Sequence, residues 1–400
     1  MAIKQFDVVI VGGGMVGASQ AVALHHQFPS LSIAIIEPVP QSAAFQPSYD
    51  GRSVALAWGS CQILDKYGIW SGLSQYAEPI SSIHVSDRGH FGKARLSASE
   101  YQVPALGYVV EVVYIGKVLH ERLNKADNVT WFCPNKLTAI EPINDGNRLT
   151  LDSGEQIDAA LLIAADGGQS ATRNMLNIRT SASPYPQHAI IANVSVADGH
   201  ENKAFERFTT HGPVALLPLS DNRYSLVWCL PPDEIQATLA LSDDAFLEAL
   251  QHAFGYRAGQ FVKTGQRFSY PLSLVRPAQL ISHHALLCGN ASHTVHPIAG
   301  QGFNLGIRDI EALVQLLKPA IAAGANPGEY SLLHQFSNHR LNDSGRVITM
   351  TDTLVKTFSN ESRLLAFGRS LGLTAMDIID CFKQPLAKQA MGLNTSFPNQ

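Results

Sequence analysis

Gly12, Gly14 and Gly17 stand in a G-x-G-x-x-G spacing, and an acid, Glu37, follows twenty positions after Gly17. This set fits recognition of a dinucleotide. Gly12 permits a tight turn, Gly14 leaves the backbone bare for a pyrophosphate, and Gly17 lets a helix pack closely on a strand. The helix starting there offers free N–H groups and the positive end of its dipole to phosphates. Glu37 is placed to accept hydrogen bonds from ribose hydroxyls. The glycines alone are a weak signal; a strand before, a helix after and an acid at this spacing make it strong. The unit does not by itself choose between NAD and FAD.

Other chemistry is less explicit. The chain has 15 histidines but no H-E-x-x-H or similar spacing, so no metal site is expected. No nucleophile–base pair stands out, and no catalytic acid or base is assigned. His211, His293 and His296 are the histidines that could act as a general base, with loop packing the competing reading for each. A second G-x-G-x-x-G is missing, so no separate nicotinamide domain is expected.

The elements that position these residues follow from period and punctuation. Residues 6–11 read as a buried parallel strand, 15–28 as a helix and 31–36 as a second strand, a βαβ unit. A loop is expected over 38–49, a helix over 53–67, strands over 80–85 and 106–110, and a helix over 114–123. Strands follow at 129–133, 149–151 and 160–165, with a turn at Asp152-Ser153-Gly154. Between 185 and 275 the texture changes: 189–196, 204–208, 214–219 and 224–230 read as an antiparallel sheet inserted into the first domain, with a helix over 243–254. The first domain then resumes with a strand at 285–288, a glycine-rich loop and a helix over about 302–317. Residues 330–388 read as mostly helical and 393–400 as a frayed tail.

Composition bounds the function. The chain has 400 residues, of which 46% are apolar and 16% charged, enough for a full core and against long disorder. A net charge of −4 argues against a nucleic-acid binder. Five widely spaced cysteines without a C-x-x-C argue against a disulfide framework or structural zinc, and fit a reducing compartment. The N-terminus lacks the pattern of a secretory signal, and the long uncharged stretch 277–307 carries glycines, histidines and Pro297, so it is no membrane span. A soluble cytoplasmic protein is expected, at most peripheral on the inner face of the membrane.

Two further segments carry a resemblance. Leu161-Leu162-Ile163-Ala164-Ala165-Asp166-Gly167-Gly168-Gln169-Ser170-x-x-Arg173 resembles the Asp-Gly segment of the class A flavoprotein monooxygenases, the FAD-dependent aromatic hydroxylases. Leu287-Cys288-Gly289-Asn290-Ala291-x-His293-x-x-His296-Pro297-x-x-Gly300-Gln301-Gly302-x-Asn304-x-Gly306-x-x-Asp309 resembles that family's second FAD fingerprint. Asn290 stands where most of the family has Asp; it keeps a carbonyl acceptor and loses a charge. The strings Asp50-Gly51-Arg52-x-x-Ala55-Leu56-Ala57, His84-Val85-Ser86-Asp87-Arg88-Gly89 and Ala204-Phe205-Glu206-Arg207-Phe208-Thr209-x-His211-Gly212-Pro213 look like the branch that hydroxylates ubiquinone precursors, the polyprenyl-methoxyphenol hydroxylases. The resemblance covers nearly the whole chain.

The resemblance implies an α/β fold: a Rossmann-type FAD-binding domain, of the p-hydroxybenzoate-hydroxylase-like kind, with an inserted antiparallel-sheet substrate domain and C-terminal helices. The FAD-binding domain is expected over 1–75, 106–180 and 276–325, the substrate domain over 76–105 and 181–275, and the helical region over 326–400. Cofactor contacts are expected from Gly12, Gly14, Gly17, Glu37, Arg52, Asp166, Gly167, Gly289, Asn290, Pro297, Gly300, Gly302 and Asn304. The helix near Gly302 would aim N–H groups at the negative charge of reduced flavin, with Asn304 adding a side-chain donor. Ser170 and Arg173 would fix the Asp166 loop or touch flavin. The implied reaction reduces FAD, with NAD(P)H as transient donor, and delivers oxygen from O2 to a prenylated phenol through a flavin C4a-hydroperoxide. Phe205, Phe208, Tyr224, Trp228 and Tyr270 could wall the ring and prenyl chain or be plain core. The C-terminal run with Leu364, Leu365, Phe367, Leu371 and Leu373 could meet a membrane or other quinone-biosynthesis enzymes, or pack as a cap. An FAD monooxygenase of another hydrophobic aromatic, and a flavin-carrying non-catalytic assembly subunit, remain the alternatives.

Overall fold

The computed structural model describes residues 3–40, 52–294, 300–358, 377 and 380–393. The β-branched run at the start forms β1 (Lys4–Val11), buried over its last four residues. It is central in a parallel set. β2 (Ile33–Ile36) and then β8 (Val129–Phe132) lie on one side, β11 (Gln156–Ala164) and β19 (Ala285–Leu287) on the other. Successive residues of β1 serve two cores, which is why the run shows no polar alternation. Val8 and Ile10 pack with Leu24, Leu119 and Leu313 of three helices, α1 (Met15–Gln27), α4 (Val112–Leu123) and α8 (Gln301–Ala322). Val9 and Val11 pack with Leu137, Leu149 and Leu151 of a hairpin, β9 (Leu137–Ile143) and β10 (Gly146–Leu151). The short β18 (Ile281–Ser282) closes the edge beside β19.

A second sheet is mainly antiparallel. Its strands are β12 (Thr180–Val196), β13 (Lys203–Phe208), β14 (Pro213–Leu219), β15 (Arg223–Leu230), β16 (Phe261–Thr264) and β17 (Phe268–Pro277), extended by β5 (Ser82–Asp87) and β6 (Lys93–Ser97). Two helices, α6 (Pro232–Leu239) and α7 (Asp243–Phe254), cover one face. α7 starts where Ser242 Oγ accepts from Ala245 N–H and Asp243 and Asp244 face the dipole. A small third sheet, with β3 (Ser53–Ala57) and β4 (Ala77–Ile80) on either side of β7 (Gly107–Glu111), lies between the two in sequence and packs against the uncovered face of the second. The rest is helical: α2 (Trp58–Lys66), α3 (Trp70–Leu73), α5 (Ala171–Met175), α9 (Tyr330–Phe358) and α10 (Asp380–Ala390). No helix among the described residues is long and apolar enough to cross a membrane.

Three sequence expectations change. The helix expected over 53–67 is a strand, β3, followed by α2; Ala and Leu favour a helix locally, but pairing with β7 overrides them over 53–57. The single strand expected over 80–85 breaks at Ser81, where the chain passes from the third sheet to the second, held by Ser81 N–H donating to Asn202 O at 2.8 Å. β9 gave no strand signal because it contains Pro142; it pairs only with β10, an edge position where a missing N–H is tolerated. The loop expected over 38–49 and the tail over 393–400 fall largely outside the described residues, as does 359–376 of the expected C-terminal helices.

Candidate functional site: a dinucleotide edge

Register builds the site. Val11 pairs with both Ile36 and Ala164, and Ala164 pairs with Leu287. The four parallel strands therefore end level, and the next residues, Gly12, Glu37, Ala165-Asp166 and Cys288-Gly289, emerge along one edge. The carboxyl ends of parallel strands are where open α/β sheets bind ligands.

At the first strand end Gly12 has φ +103°, and an added Cβ would sit 2.6 Å from Ala165 O. At Gly17 a Cβ would meet Gly12 O at 1.9 Å, so glycine is what lets α1 begin so close to β1. Gly14 is the N-cap of α1; no side chain caps this end and no acid lies in its first turn. Its N–H groups and dipole are therefore available to an anion. Glu37 holds this turn: Oε2 accepts from Gly13 N–H at 2.6 Å and Oε1 from Val39 N–H at 2.9 Å.

Asp166 serves its own loop. Its carboxylate accepts from Ser170 Oγ, from Thr172 N–H at 3.0 Å and from Thr172 Oγ1 at 2.8 Å. Ser170 in turn caps α5, accepting from Arg173 N–H at 2.9 Å. Arg173 bridges to the neighbouring turn, donating to Gly168 O at 2.9 Å and Ala291 O at 3.0 Å. Ser170 and Arg173 thus fix the loop, the first of their two expected roles. Gly167 has φ +86° with nothing within 4 Å of an added Cβ.

The last strand end carries Gly289, at φ +59°, where a Cβ would lie 2.8 Å from Val16 Cγ2; a Cβ on Gly306 would lie 2.7 Å from the same methyl. Val16 of α1 is thereby wedged between the Gly289 turn and α8. Asp309 anchors that turn, accepting from Gly289 N–H at 2.9 Å and His293 Nε2–H at 3.1 Å. Its other oxygen accepts from Arg340 Nε at 2.6 Å, and Arg340 also reaches Asp343, which holds Arg308. Both Asp309 and Arg340 are 1% exposed. Burial alone would push the Asp309 carboxyl up; the charge of Arg340 and the contacts with His293 and Gly289 N–H outweigh it and hold it at about 2. His293 is therefore a structural partner of Asp309. Arg340 and its tie to Asp309 carried no sequence signal, since 31 residues and a helical turn pattern separate them.

α8 begins at Gly300, φ +60°, again with no side-chain cap and no acid in the first turn. Among the described residues a Cβ on Gly302 would meet nothing nearer than Asn290 Oδ1 at 3.9 Å, which leaves the backbone there bare of them. Asn304 was expected to donate into this opening. Instead its Nδ2 donates to Ala55 O at 2.7 Å and Gly300 O at 2.8 Å, and its Oδ1 accepts from Ala57 N–H at 2.8 Å. Asn304 fastens β3 to the start of α8. Pro297 and His296 lie outside the described residues.

Arg52, just before β3, lies 5.4 Å from the ring of Tyr270 on β17. Tyr270 pairs with Ala189 and Ala189 with Cys229, which places these three on the face away from α7. Burial, then the Glu206 carboxylate, push the Cys229 thiol up, so Glu206 also looks to this face. Phe208, two residues on from Glu206, shares it. Phe205, Tyr224 and Trp228 do not wall it: they pack with Phe246 and Phe254 under α7. His211 stands at a turn, Nδ1 2.9 Å from Glu234 Oε1 and half-exposed. Among the described residues no group of three His, Cys, Asp or Glu could hold a metal.

Two uncapped helix N-termini, bare glycines at both and an acid at the β2 end fit an extended anionic dinucleotide, and the chain's relatives agree. The model of the FAD binding domain family matches residues 5–351. Ubiquinone hydroxylase UbiL of Rhodospirillum rubrum is 35% identical over 98% of this chain and 90% of its own length. The 3-demethoxyubiquinol 3-hydroxylase of Escherichia coli is 32% identical over 98% of this chain and its full length, 100%. The crystal structure of p-nitrophenol 4-monooxygenase PnpA from Pseudomonas putida DLL-E4 superposes with a TM-score of 0.79 over 100% of both chains at 18% identity, a likeness of fold. The chain belongs to the FAD binding domain family and is an FAD-dependent monooxygenase related to hydroxylases of ubiquinone.

Proposed function

We propose that the protein hydroxylates the ring of a polyprenylated methoxyphenol in ubiquinone biosynthesis, taking oxygen from O2 and electrons from NAD(P)H. The names of the two relatives support the pathway. The observation that carries the reading is the level ending of four strands between two uncapped helix N-termini. On this reading residues 1–75, 106–180 and 276–325 form the cofactor domain, 76–105 and 181–275 the substrate domain and 326–400 the helical region. Gly12, Gly14 and Gly17 admit the diphosphate at the start of α1, and Glu37 takes the ribose. Asp166 and Gly167 shape the loop under the cofactor's middle, with Gly289 and Asn290 beside it. Gly300 and Gly302 bring the N–H groups of α8 to the flavin, and Asn304 fixes their position.

Bound FAD supplies electron acceptance and oxygen activation. The chain's own part is to hold the ring dry and aligned. Ala189, Val227, Cys229 and Leu272 form an apolar cluster on the sheet face away from α7, which suits a prenylated ring and excludes water. Arg52 and Tyr270 stand where that face meets β3, so they orient the substrate against the cofactor edge. A lipophilic substrate places the protein in the cytoplasm at the inner face of the membrane, alongside other enzymes of the pathway. The test is the set of quinone intermediates in a strain lacking the gene, by mass spectrometry. Accumulation of the unhydroxylated prenyl phenol during aerobic growth is expected; normal quinone levels would sink the assignment.

A further inference from the structure

The helical cover of the second sheet stops at Phe254, and a group of cations occupies the rim beyond it, where Asp377 also lies. Arg257 Nη1 donates to His84 Nε2 at 2.9 Å. The Arg207 guanidinium lies 5.9 Å from the Phe254 ring. Register pairs Phe205 with His84 and His84 with Arg95, and pairs Arg207 with Ser86 and Ser86 with Lys93. Cross-strand partners share a face, so Arg207, Lys93 and Arg95 point to the side that Phe205 buries under α7, opposite Glu206 and the substrate face. Arg88 continues β5 into the hairpin.

These charges act on one another. Burial, then Arg257 and Arg88, lower the Arg207 guanidinium. Burial, then Arg257, Arg95 and Lys93, hold the His84 imidazole at about 4, so it is neutral at physiological pH and accepts from Arg257. Among the described residues Arg95 pairs with Asp377 at 2.8 Å, whereas Arg88, Lys93 and Arg257 have no ion-pair partner. Two rings stand exposed in the same rim: Phe91, 63% exposed in the turn between β5 and β6, and Tyr256, 75% exposed immediately before Arg257. The cations outnumber the carboxylates that act on them, Asp87 on Arg207 and Asp377 on Arg95, and the excess raises the energy of the free protein. Exposed rings beside them add an apolar cost that contact with a charged, half-apolar surface removes.

We infer that this rim docks the protein on an anionic bilayer, with Arg88, Lys93 and Arg257 on lipid phosphates and Phe91 and Tyr256 at headgroup depth. The chain's net charge of −4 leaves the rim as the local exception that orients it. An acidic protein surface would satisfy the cations but gives no reason for two separate exposed rings. The purpose of this contact rests on the membrane-borne substrate proposed above; its residues do not.

The test is sedimentation of the FAD-loaded protein with vesicles of phosphatidylcholine, with and without phosphatidylglycerol. Binding only to the anionic vesicles, weakened by salt, is expected. R88E/R257E lowers that partitioning about tenfold or more, while FAD content and turnover of detergent-dispersed substrate stay unchanged. As a second probe that leaves the charges intact, the added emission of F91W shifts to the blue on anionic vesicles and not on neutral ones. Failure of the wild-type protein to bind anionic vesicles overturns the inference, as does binding that survives R88E/R257E or leaves F91W unmoved. Turnover that is absent even with dispersed substrate strikes the proposed reaction instead and leaves the vesicle result standing.

Discussion

Gly302 separates folding from cofactor binding. It lies in the first turn of α8, where no described atom comes nearer than Asn290 Oδ1 at 3.9 Å to an added Cβ, and alanine is the better helix former by about 1 kcal/mol. G302A should therefore leave the thermal midpoint of the apoprotein unchanged or raised, yet weaken FAD about tenfold or more, the equivalent of ~1.4 kcal/mol; flavin fluorescence titration reads this. Gly289 behaves oppositely. With φ +59° and Val16 Cγ2 at 2.8 Å, G289A should cost the apoprotein about 1–3 kcal/mol in denaturant titration, and V16A in the same chain should recover only the steric part. N304L strands Ala57 N–H and the carbonyls of Ala55 and Gly300 and should cost about 1–3 kcal/mol or more. At this scale the sequence was legible wherever a backbone demand is local: Gly12, Gly17 and Gly289 are glycines for reasons their neighbours reveal. Asn304 was misread because its partners belong to a strand, 53–57, that local propensity hides.

The same division holds for elements. The strands read at 6–11 and 160–165 are legible because burial on both faces leaves the apolar runs 8–11 and 159–164, although their more polar beginnings, 4–7 and 156–158, went partly unread; α7 is legible because Ser242, Asp243 and Asp244 announce its start. What joins one element to another is not legible, and Arg340 is the case in point. It ties α9 to α8 and, through Asp309, to the Gly289 turn. R340A leaves a buried carboxylate without its main partner and should cost about 3–5 kcal/mol. Acid should act on the same tie. A carboxyl whose folded pKa is depressed adds stability that is present above its unfolded value, about 3.9, and is lost as pH falls through the folded value, about 2 for Asp309. Urea midpoints of the wild type should therefore drop between about pH 4 and pH 2. In R340A the loss should begin at higher pH, because the strongest charge that favours the carboxylate is gone and His293 and the Gly289 N–H remain.

For the whole molecule, the first sheet sets out a cofactor edge and the second presents an apolar face toward Arg52, while its far rim carries the exposed cations. The division of labour between cofactor chemistry and a dry, orienting pocket needs both sheets tied together, which the third sheet provides: Ala55 packs with Leu96, Ala204 and Leu219 of the second, and Leu56 and Val110 share the core with Val8 and Ile10 of the first. The most direct trial of the account gives the FAD-loaded protein NAD(P)H, isotopically labelled O2 and a dispersed polyprenyl methoxyphenol, and reads the product mass. The account predicts a single labelled oxygen on the ring, with no product when flavin is stripped. A product whose new oxygen comes from water, or flavin that no donor reduces in the presence of substrate, would contradict it.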